Sequence, residues 1–264
     1  MVRRELPVNG HLAVRQVRAD VPVRWPILDA DRSGFQDYFS RLLLDSPELK
    51  GRVLDIGCGG NLPSALQGLA GQYGAIDGID PDPAVATHPL LGHRWNSPFE
   101  TSAVPEKNYD LAYAYNVLEH IADPKAFFSK VCGVLKDDGV FWALTPNGHH
   151  PFPLLSRSIE RLGLKGLARR QLGRDESGAM RVNDYPAYYR CNTPRAVLSA
   201  IRGLGFRSAT FFHYPCVQWD TYFPTWLRWS PRAWDLALGT RFTNLMQILI
   251  IKLDKGDGCP NRVK

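Results

Sequence analysis

Short apolar runs, separated by turn residues, recur along most of the chain. Each run is four to nine residues long, is rich in Val, Leu, Ile, Ala or aromatic residues, and ends near Gly, Pro, Asp or Asn. Runs of this kind are typical of strands buried in a parallel sheet. The pattern predicts strands near residues 53–56, 73–79, 92–95, 109–115, 140–147, 207–214 and 245–253.

Helical periodicity fills the intervals between these runs. Residues 31–44 carry an apolar stripe at helical spacing, made of Phe35, Tyr38, Phe39, Leu42 and Leu43. Further helices are predicted over about 62–69, from Asp123-Pro124 to about Leu135, and over 195–203. Thr193 is a good N-cap with Pro194 at the first helical position. Strands alternating with helices predict an α/β fold with helices on both faces of one sheet.

Composition and charge narrow the class of protein. The chain has 264 residues and a net charge of +6, which fits one elaborated domain of ordinary composition. The basic residues are dispersed, and the densest patch, around 165–174, is interpreted as a solvated face, so no nucleic-acid partner is expected. No apolar run suits a signal peptide or a membrane span, so a cytoplasmic protein is expected.

The stretch from Val53 to Asn61 places a glycine cluster directly after the first strand. Gly57 and Gly59 suit a turn at which backbone approaches a ligand closely. Leu62 stands where the dinucleotide fingerprint needs its third glycine, which argues against a nicotinamide cofactor. Asp80 ends the second strand, where a carboxylate can accept hydrogen bonds from ribose hydroxyls. Asp77 is the rival acid, expected to face a protein partner or the sheet edge.

Four blocks of the sequence resemble the class I S-adenosylmethionine-dependent methyltransferases. Val53–Gly60 resembles motif I, although the order Gly60-Asn61 departs from it, and Gly78–Pro81 resembles motif II. Asn116–Pro124 resembles the V-L-E-H segment of the ubiquinone-type enzymes, and Val140–Asn147 resembles their fifth strand with its T-P-N ending. The resemblance implies a Rossmann-like sheet of seven strands with the last one antiparallel, and S-adenosylmethionine as cofactor with S-adenosylhomocysteine as product.

The resemblance also implies where the cofactor binds. The glycine turn and Asp80 would hold the sugar, the Trp95-Asn96-Ser97 loop would read the adenine, and Asn116 would face the methionine part. The cofactor residues implied in this way are Asp55, Gly57, Cys58, Gly59, Asp80, Pro81, Trp95, Asn96, Ser97 and Asn116.

Candidate catalytic and acceptor-binding residues lie later in the chain. His120, His149 and His150 are candidate general bases, because imidazole titrates near neutral pH. His120 could also have a purely structural role. His149 and His150 are adjacent in the sequence and have no evident third ligand, so they do not predict a metal site. Acceptor contacts are expected from Tyr185, Tyr188, Tyr189, Arg190 and Trp219.

Segment boundaries follow from composition. We expect a single domain with an N-terminal arm (1–30), a cofactor-binding half (31–147), an insertion (148–190), a C-terminal half (191–254) and a tail (255–264). Residues 215–240 are dense in Trp, Tyr and Phe and carry several arginines. They form an aromatic cap, which could be a lid, a small satellite core, a peripheral membrane contact or a subunit interface.

The sequence thus predicts a methyltransferase that acts on a hydrophobic small molecule or a lipid- or glycan-linked acceptor. O-methylation in secondary metabolism is favoured, because the segments after the fifth and sixth strands are long and aromatic. C-methylation of a similar acceptor, or a non-catalytic binding protein with the same fold, remains an alternative. The sequence does not separate a monomer from a homodimer.

Overall fold

A computed structural model of the chain describes residues 23–24, 35–60, 67, 76–151, 153, 185–214, 229–230, 233 and 245–256. Eight strands in this part form one sheet, in the order β1-β7-β8-β6-β5-β2-β3-β4. They are β1 (Val23–Arg24), β2 (Val53–Ile56), β3 (Ile76–Asp80), β4 (Arg94–Asn96), β5 (Tyr109–Tyr115), β6 (Leu135–Pro146), β7 (Phe206–Tyr214) and β8 (Ile248–Lys255).

The strand directions agree with the mixed sheet expected from the sequence. β8 runs antiparallel to both β6 and β7, and every other pair is parallel. The seven predicted strands are all present, with ends that differ by a few residues. Two differences are larger. β1 is an additional two-residue edge strand within the expected N-terminal arm, and β6 begins at Leu135, five residues before Val140.

Helices cover both faces of the sheet, as predicted. Among the described residues they are α1 (Phe35–Leu44), α2 (Pro124–Val134) and α3 (Pro194–Ile201). The helix predicted over 62–69 lies outside these residues, apart from Gln67. Phe127 and Phe128 of α2 and Val197 of α3 are buried in the cluster on one face. Phe39 and Leu43 of α1 are fully buried in the cluster on the other face. The apolar stripe of α1 therefore packs on the sheet.

The helix starts follow from local chemistry. The side chain of Asp123 accepts a hydrogen bond from the Ala126 N–H, and a proline occupies the first turn of α2. Thr193 caps α3 in the same way through the Ala196 N–H. Each cap satisfies an amide that the helix itself leaves without a partner, so both helices begin where the sequence predicts.

The strand order reverses between β2 and β5. From β2 the chain continues to β3 and β4 on one side, whereas β5 and β6 lie on the other side. In open α/β sheets, ligands bind at the carboxyl ends of the strands where the order reverses. The ends of β2, β3 and β5 therefore mark the place to look for a site.

Candidate cofactor and acceptor site

The glycine turn after β2 has a backbone conformation that favours glycine. Gly57 has a φ of 78° and Gly59 a φ of 56°, both in the left-handed region. The Gly57 N–H donates to the carbonyl of Ile79 at 2.7 Å. A Cβ placed on Gly57 would lie 2.3 Å from Cγ2 of Val117, so a side chain there would collide with the segment after β5. The turn and Val117 thus lie in direct contact.

Asp80 organises the end of β3. Its side chain is 8% exposed. One carboxylate oxygen accepts from the Gly59 N–H at 2.8 Å and the other from the Asp82 N–H at 2.7 Å. A carboxylate oxygen can accept more than one hydrogen bond, so Asp80 keeps acceptor capacity for ribose hydroxyls. This remaining acceptor capacity at the end of β3 would suit the sugar hydroxyls of S-adenosylmethionine.

Asp77, the rival acid, is held by protein donors. Its carboxylate accepts from Arg52 at 2.8 Å, from the Tyr109 hydroxyl at 3.0 Å and from the His93 N–H at 2.9 Å. Burial alone would raise the pKa of Asp77, but these hydrogen bonds outweigh it and lower the pKa below its usual value. Asp77 therefore supports the sheet, which leaves Asp80 as the candidate ribose ligand.

Asp55 and Cys58, both expected at the cofactor, have side chains that are almost fully buried. Asp55 is 2% exposed and accepts a hydrogen bond from the Tyr113 hydroxyl at 2.7 Å. Burial raises the pKa of Asp55 to about 7, although the Tyr113 hydrogen bond partly opposes the shift. Burial raises the pKa of the Cys58 thiol far above its usual value, and the nearby carboxylates of Asp55 and Asp80 raise it further. The small, neutral thiol suits this tight turn.

The loop expected to read the adenine lies beside the end of β3. The Asn96 amide donates to the carbonyls of Asp80 at 3.1 Å and Pro81 at 3.0 Å. These bonds use its N–H₂ group, so its oxygen is the atom left for a ligand. Trp95 is half-buried and its ring stacks against His93 with centroids 6.0 Å apart. Ser97 is also half-buried. That Trp95, Asn96 and Ser97 contact the adenine remains a prediction.

His120 lies on a 3-10 turn, Leu118–His120, that follows β5. The preceding Asn116 has a left-handed φ of 53°, and its N–H donates to the carbonyl of Leu144 at 2.9 Å. His120 Nδ1 lies 3.1 Å from the carbonyl oxygen of Pro186. A carbonyl only accepts hydrogen bonds, so Nδ1 must carry the proton, and in the neutral ring Nε2 holds the lone pair.

A segment far along the chain, here called the strap (residues 185–191), crosses this turn. The Glu119 carbonyl accepts from the N–H groups of Tyr188 at 2.6 Å and Tyr189 at 3.0 Å. Arg190 donates to the carbonyl of Ala122 at 2.6 Å, and its guanidinium lies over the Tyr188 ring at 5.3 Å. The structure therefore brings the strap onto the segment that carries His120. Of the four predicted acceptor residues on it, Tyr185 contacts the His120 ring, whereas Tyr188, Tyr189 and Arg190 bond to Glu119 and Ala122.

A buried polar network supports the same turn and was not predicted from the sequence. The Thr145 hydroxyl donates to the carboxylate of Glu119 at 3.0 Å, and the Asn192 amide donates to Thr145. All three side chains are at most 7% exposed. Burial raises the pKa of Glu119. Polar residues that end an otherwise apolar strand, as in T-P-N, are the signal that could have revealed it.

His149 and His150 lie beyond the end of β6 in contrasting environments. His149 is exposed, and its N–H donates to the Asn147 side chain at 3.1 Å. His150 is fully buried, and burial lowers its pKa to about 4. Trp219 and residues 215–228 lie outside the described residues. In the part of the chain that is described, no three His, Cys, Asp or Glu residues are grouped to hold a metal ion, and no helix is long and apolar enough to cross a membrane.

Comparison with known proteins gives a family for this arrangement. A model of the methyltransferase domain matches residues 29–233, which is most of the chain. The ubiquinone biosynthesis O-methyltransferase of Methylobacterium nodulans is 30% identical over 104 residues, or 36% of this chain and 41% of that enzyme. The chain thus matches about two fifths of the length of this curated relative.

Solved structures share the fold at low sequence identity. An S-adenosylmethionine-dependent methyltransferase from Archaeoglobus fulgidus has a TM-score of 0.52 and 17% identity, covering 84% of this chain and 95% of that one. The cyclase SpnF has a TM-score of 0.52 and 15% identity, covering 87% of this chain and 86% of that one. Because a cyclase has this fold, the fold alone does not identify the reaction, which must be argued from the residues of the site. By its match over residues 29–233, the chain belongs to the methyltransferase domain family, and its fold is that of class I S-adenosylmethionine-dependent methyltransferases.

Proposed function

We propose that the protein transfers a methyl group from S-adenosylmethionine to a hydroxyl of a hydrophobic small molecule or lipid-linked acceptor. The observation that carries this proposal is the hydrogen bond between His120 Nδ1 and the Pro186 carbonyl. It fixes the ring and its tautomer next to the acceptor residues of the strap. An imidazole oriented in this way can act as a general base through Nε2.

The cofactor cleft would be formed by the glycine turn, Asp80 and Asn116. When bound, S-adenosylmethionine supplies an electrophilic methyl group with a good, neutral leaving group. The left-handed glycines let the backbone approach the ligand, and the remaining lone pairs of Asp80 suit the hydroxyls of a ribose. The main task of the chain is then to position the acceptor.

A hydroxyl acceptor also has to lose its proton. His120 is the preferred base, because its partner on Nδ1 leaves Nε2 to accept that proton. His150 is a weaker candidate, since burial lowers its pKa to about 4 and so reduces its basicity near neutral pH. His149 is exposed and remains the second candidate.

The acceptor class is supported by the relatives and by the chemistry of the strap. The curated relatives are named for O-methylation in ubiquinone biosynthesis, although they match over only part of their length. Tyr188, Tyr189 and Arg190 carry aromatic rings and hydrogen-bond donors on the strap, which is bonded to Glu119 and Ala122 on either side of His120 in the sequence. Trp219 and the aromatic cap would add apolar surface. The proposal also includes the location and assembly of the protein. It would be a cytoplasmic monomer or homodimer that contacts a membrane peripherally through residues 215–240.

Replacing His120 by Asn tests the base. Asn keeps an N–H that can donate to the Pro186 carbonyl but lacks a basic nitrogen. We expect kcat to fall by about 100-fold or more, as for other general bases. Affinity for S-adenosylhomocysteine should stay within about twofold, because Asp80 and the glycine turn are untouched. The assay follows tritium-labelled methyl transfer to a panel of alkyl- and prenyl-substituted phenols and alcohols.

His149→Asn tests the second candidate base, and it should retain most of the activity if His120 is the base. Activity of H120N within about threefold of wild type would contradict the role of His120 as the base. Mass spectrometry and NMR of the product locate the new methyl group. A new methyl group on carbon would refute O-methylation in favour of C-methylation. If no compound of the panel is methylated, the proposed acceptor class is refuted.

A further inference from the structure

The strap reaches the cofactor cleft through a short chain of contacts. Val117 touches the glycine turn at Gly57, and the His120 N–H donates to the Val117 carbonyl at 2.9 Å. The Pro186 carbonyl accepts a hydrogen bond from Nδ1 of His120. The Tyr185 ring packs edge to face against the His120 ring, with centroids 6.2 Å apart. Two residues, His120 and Val117, therefore link Tyr185 to the turn that would cradle the cofactor.

The anchoring of the strap is uneven. Tyr188, Tyr189 and Arg190 are held by backbone carbonyls of Glu119 and Ala122. Tyr185 lies just before this anchored part, and its side chain is 40% exposed. Because this ring is exposed, its removal should change the stability of the fold little. Such a ring is available to cover a ligand.

The surroundings of the Tyr185 hydroxyl point to the cofactor side of the cleft. Partial burial raises its pKa, and the carboxylates of Asp80 and Asp82 raise it further. Both carboxylates belong to the end of β3, where the ribose would bind. A phenol O–H is a hydrogen-bond donor and its ring is a stacking surface, so one side chain offers both kinds of contact to a nucleoside.

We propose that Tyr185 belongs to the cofactor site, where it covers the ribose end of the cleft and helps to retain the cofactor. The strap then joins the two halves of the site: Tyr185 contacts the cofactor, and the residues after Ala187 face the acceptor. This inference rests on the cofactor cleft of the proposed function, but it is independent of the acceptor and of His120 as base.

Calorimetric titration of S-adenosylhomocysteine into the full-length protein tests the assignment. Tyr185→Ala should weaken binding by about tenfold. Tyr185→Phe, which keeps the ring and removes the hydroxyl, should weaken it less, by about threefold. Tyr188→Ala is the matched control, since Tyr188 lies on the same strap with a similar exposure of 37%. Its affinity should stay within about twofold of wild type.

Equal affinities of wild type and Y185A would overturn the proposal and return Tyr185 to the acceptor side. A wild-type protein that does not bind S-adenosylhomocysteine would refute it together with the cofactor site. Hydrogen exchange on the wild-type protein gives a second measurement that needs no variant. The peptide spanning 185–187 should exchange more slowly when S-adenosylhomocysteine is bound, and unchanged exchange would count against a covering role. Loss of activity in H120N with normal binding would leave this proposal intact.

Discussion

At the scale of single residues, the two aspartates of β3 differ in their hydrogen-bond partners, and this difference separates the proposed ribose ligand from a structural residue. Asp77 is saturated by a guanidinium, a phenol and a backbone amide. Among the residues that the structure describes, the Asp80 side chain accepts from two backbone amides, those of Gly59 and Asp82. Two identical side chains, three positions apart on one strand, thus have different hydrogen-bond partners.

Asp80→Asn should reduce the affinity for S-adenosylhomocysteine by about 10- to 100-fold. The amide loses the charge and part of the acceptor capacity, and hydrogen bonds to charged groups contribute about 1.5–3 kcal/mol. Calorimetric titration measures the change. In the matched variant, Asp77→Asn, thermal stability should drop while affinity stays within about twofold. The reverse result, weaker binding in D77N and unchanged binding in D80N, would mean that the ribose acid is misassigned.

Asp55 should make the folded protein sensitive to pH. Its pKa in the folded state is raised by burial to about 7, from an ordinary value of 3.8. The folded state therefore holds a proton that the unfolded chain releases between these values. Stability falls with rising pH wherever the folded state binds more protons, so this contribution is present below about pH 4 and is lost as the pH rises through 7.

Comparison with Asp55→Asn isolates this contribution, because Asn cannot titrate but can still accept from the Tyr113 hydroxyl. We expect the free energy of unfolding of wild type, relative to D55N, to decrease between pH 5 and pH 8. The full shift corresponds to at most ~4 kcal/mol. Denaturant unfolding at both pH values measures it. Parallel pH profiles of the two proteins would show that Asp55 does not carry the shifted pKa.

At the scale of elements, helix caps and the strap place the site. α3 begins directly after the strap and Asn192, so the Thr193 cap fixes where the strap ends. Glu119 joins the turn after β5 to two neighbours: its carbonyl holds the strap and its carboxylate holds Thr145 at the end of β6. A few polar contacts at the carboxyl ends of β5 and β6 thus connect elements that are distant in the sequence.

Thr193→Ala should lower the free energy of unfolding by about 1 kcal/mol, because it removes the acceptor of the Ala196 N–H. The affinity for S-adenosylhomocysteine should change little, since the cap lies outside the cofactor cleft. Denaturant unfolding and calorimetry give the two values. Arg195→Ala, an exposed substitution in the same helical turn, serves as the control and should cost less than about 0.5 kcal/mol. Equal losses in both variants would argue against the cap.

At the scale of the whole molecule, the fold was largely predictable because strong local signals agreed. Val53–Ile56 is uniformly apolar apart from Asp55, and Thr193-Pro194 combines a cap with a helix start. The sequence also pointed to the glycine turn and to Asp80 as candidate cofactor contacts, because a turn without side chains and an acid at a strand end have direct chemical reasons; their role in binding stays a prediction.

Other parts of the site could not be read from the sequence, because they depend on contacts between distant segments. The link from Pro186 to His120 joins residues 66 positions apart. The Glu119, Thr145 and Asn192 network requires three elements to meet. Tyr185 resembles its neighbours Tyr188 and Tyr189 in the sequence, and only the packed structure separates it from them. Cofactor, base and acceptor assignments of individual residues remain predictions.

The two-residue strand β1 has a consequence for how this protein is handled in the laboratory. It pairs Val23 and Arg24 with Ala209 and Thr210 on the outer side of β7. β7 is nine residues long and mostly buried, and an uncovered strand edge of this kind is a template for self-association. Trimming the N-terminus past Arg24 would therefore uncover a surface prone to aggregation, even though every residue of the cofactor cleft would remain in place.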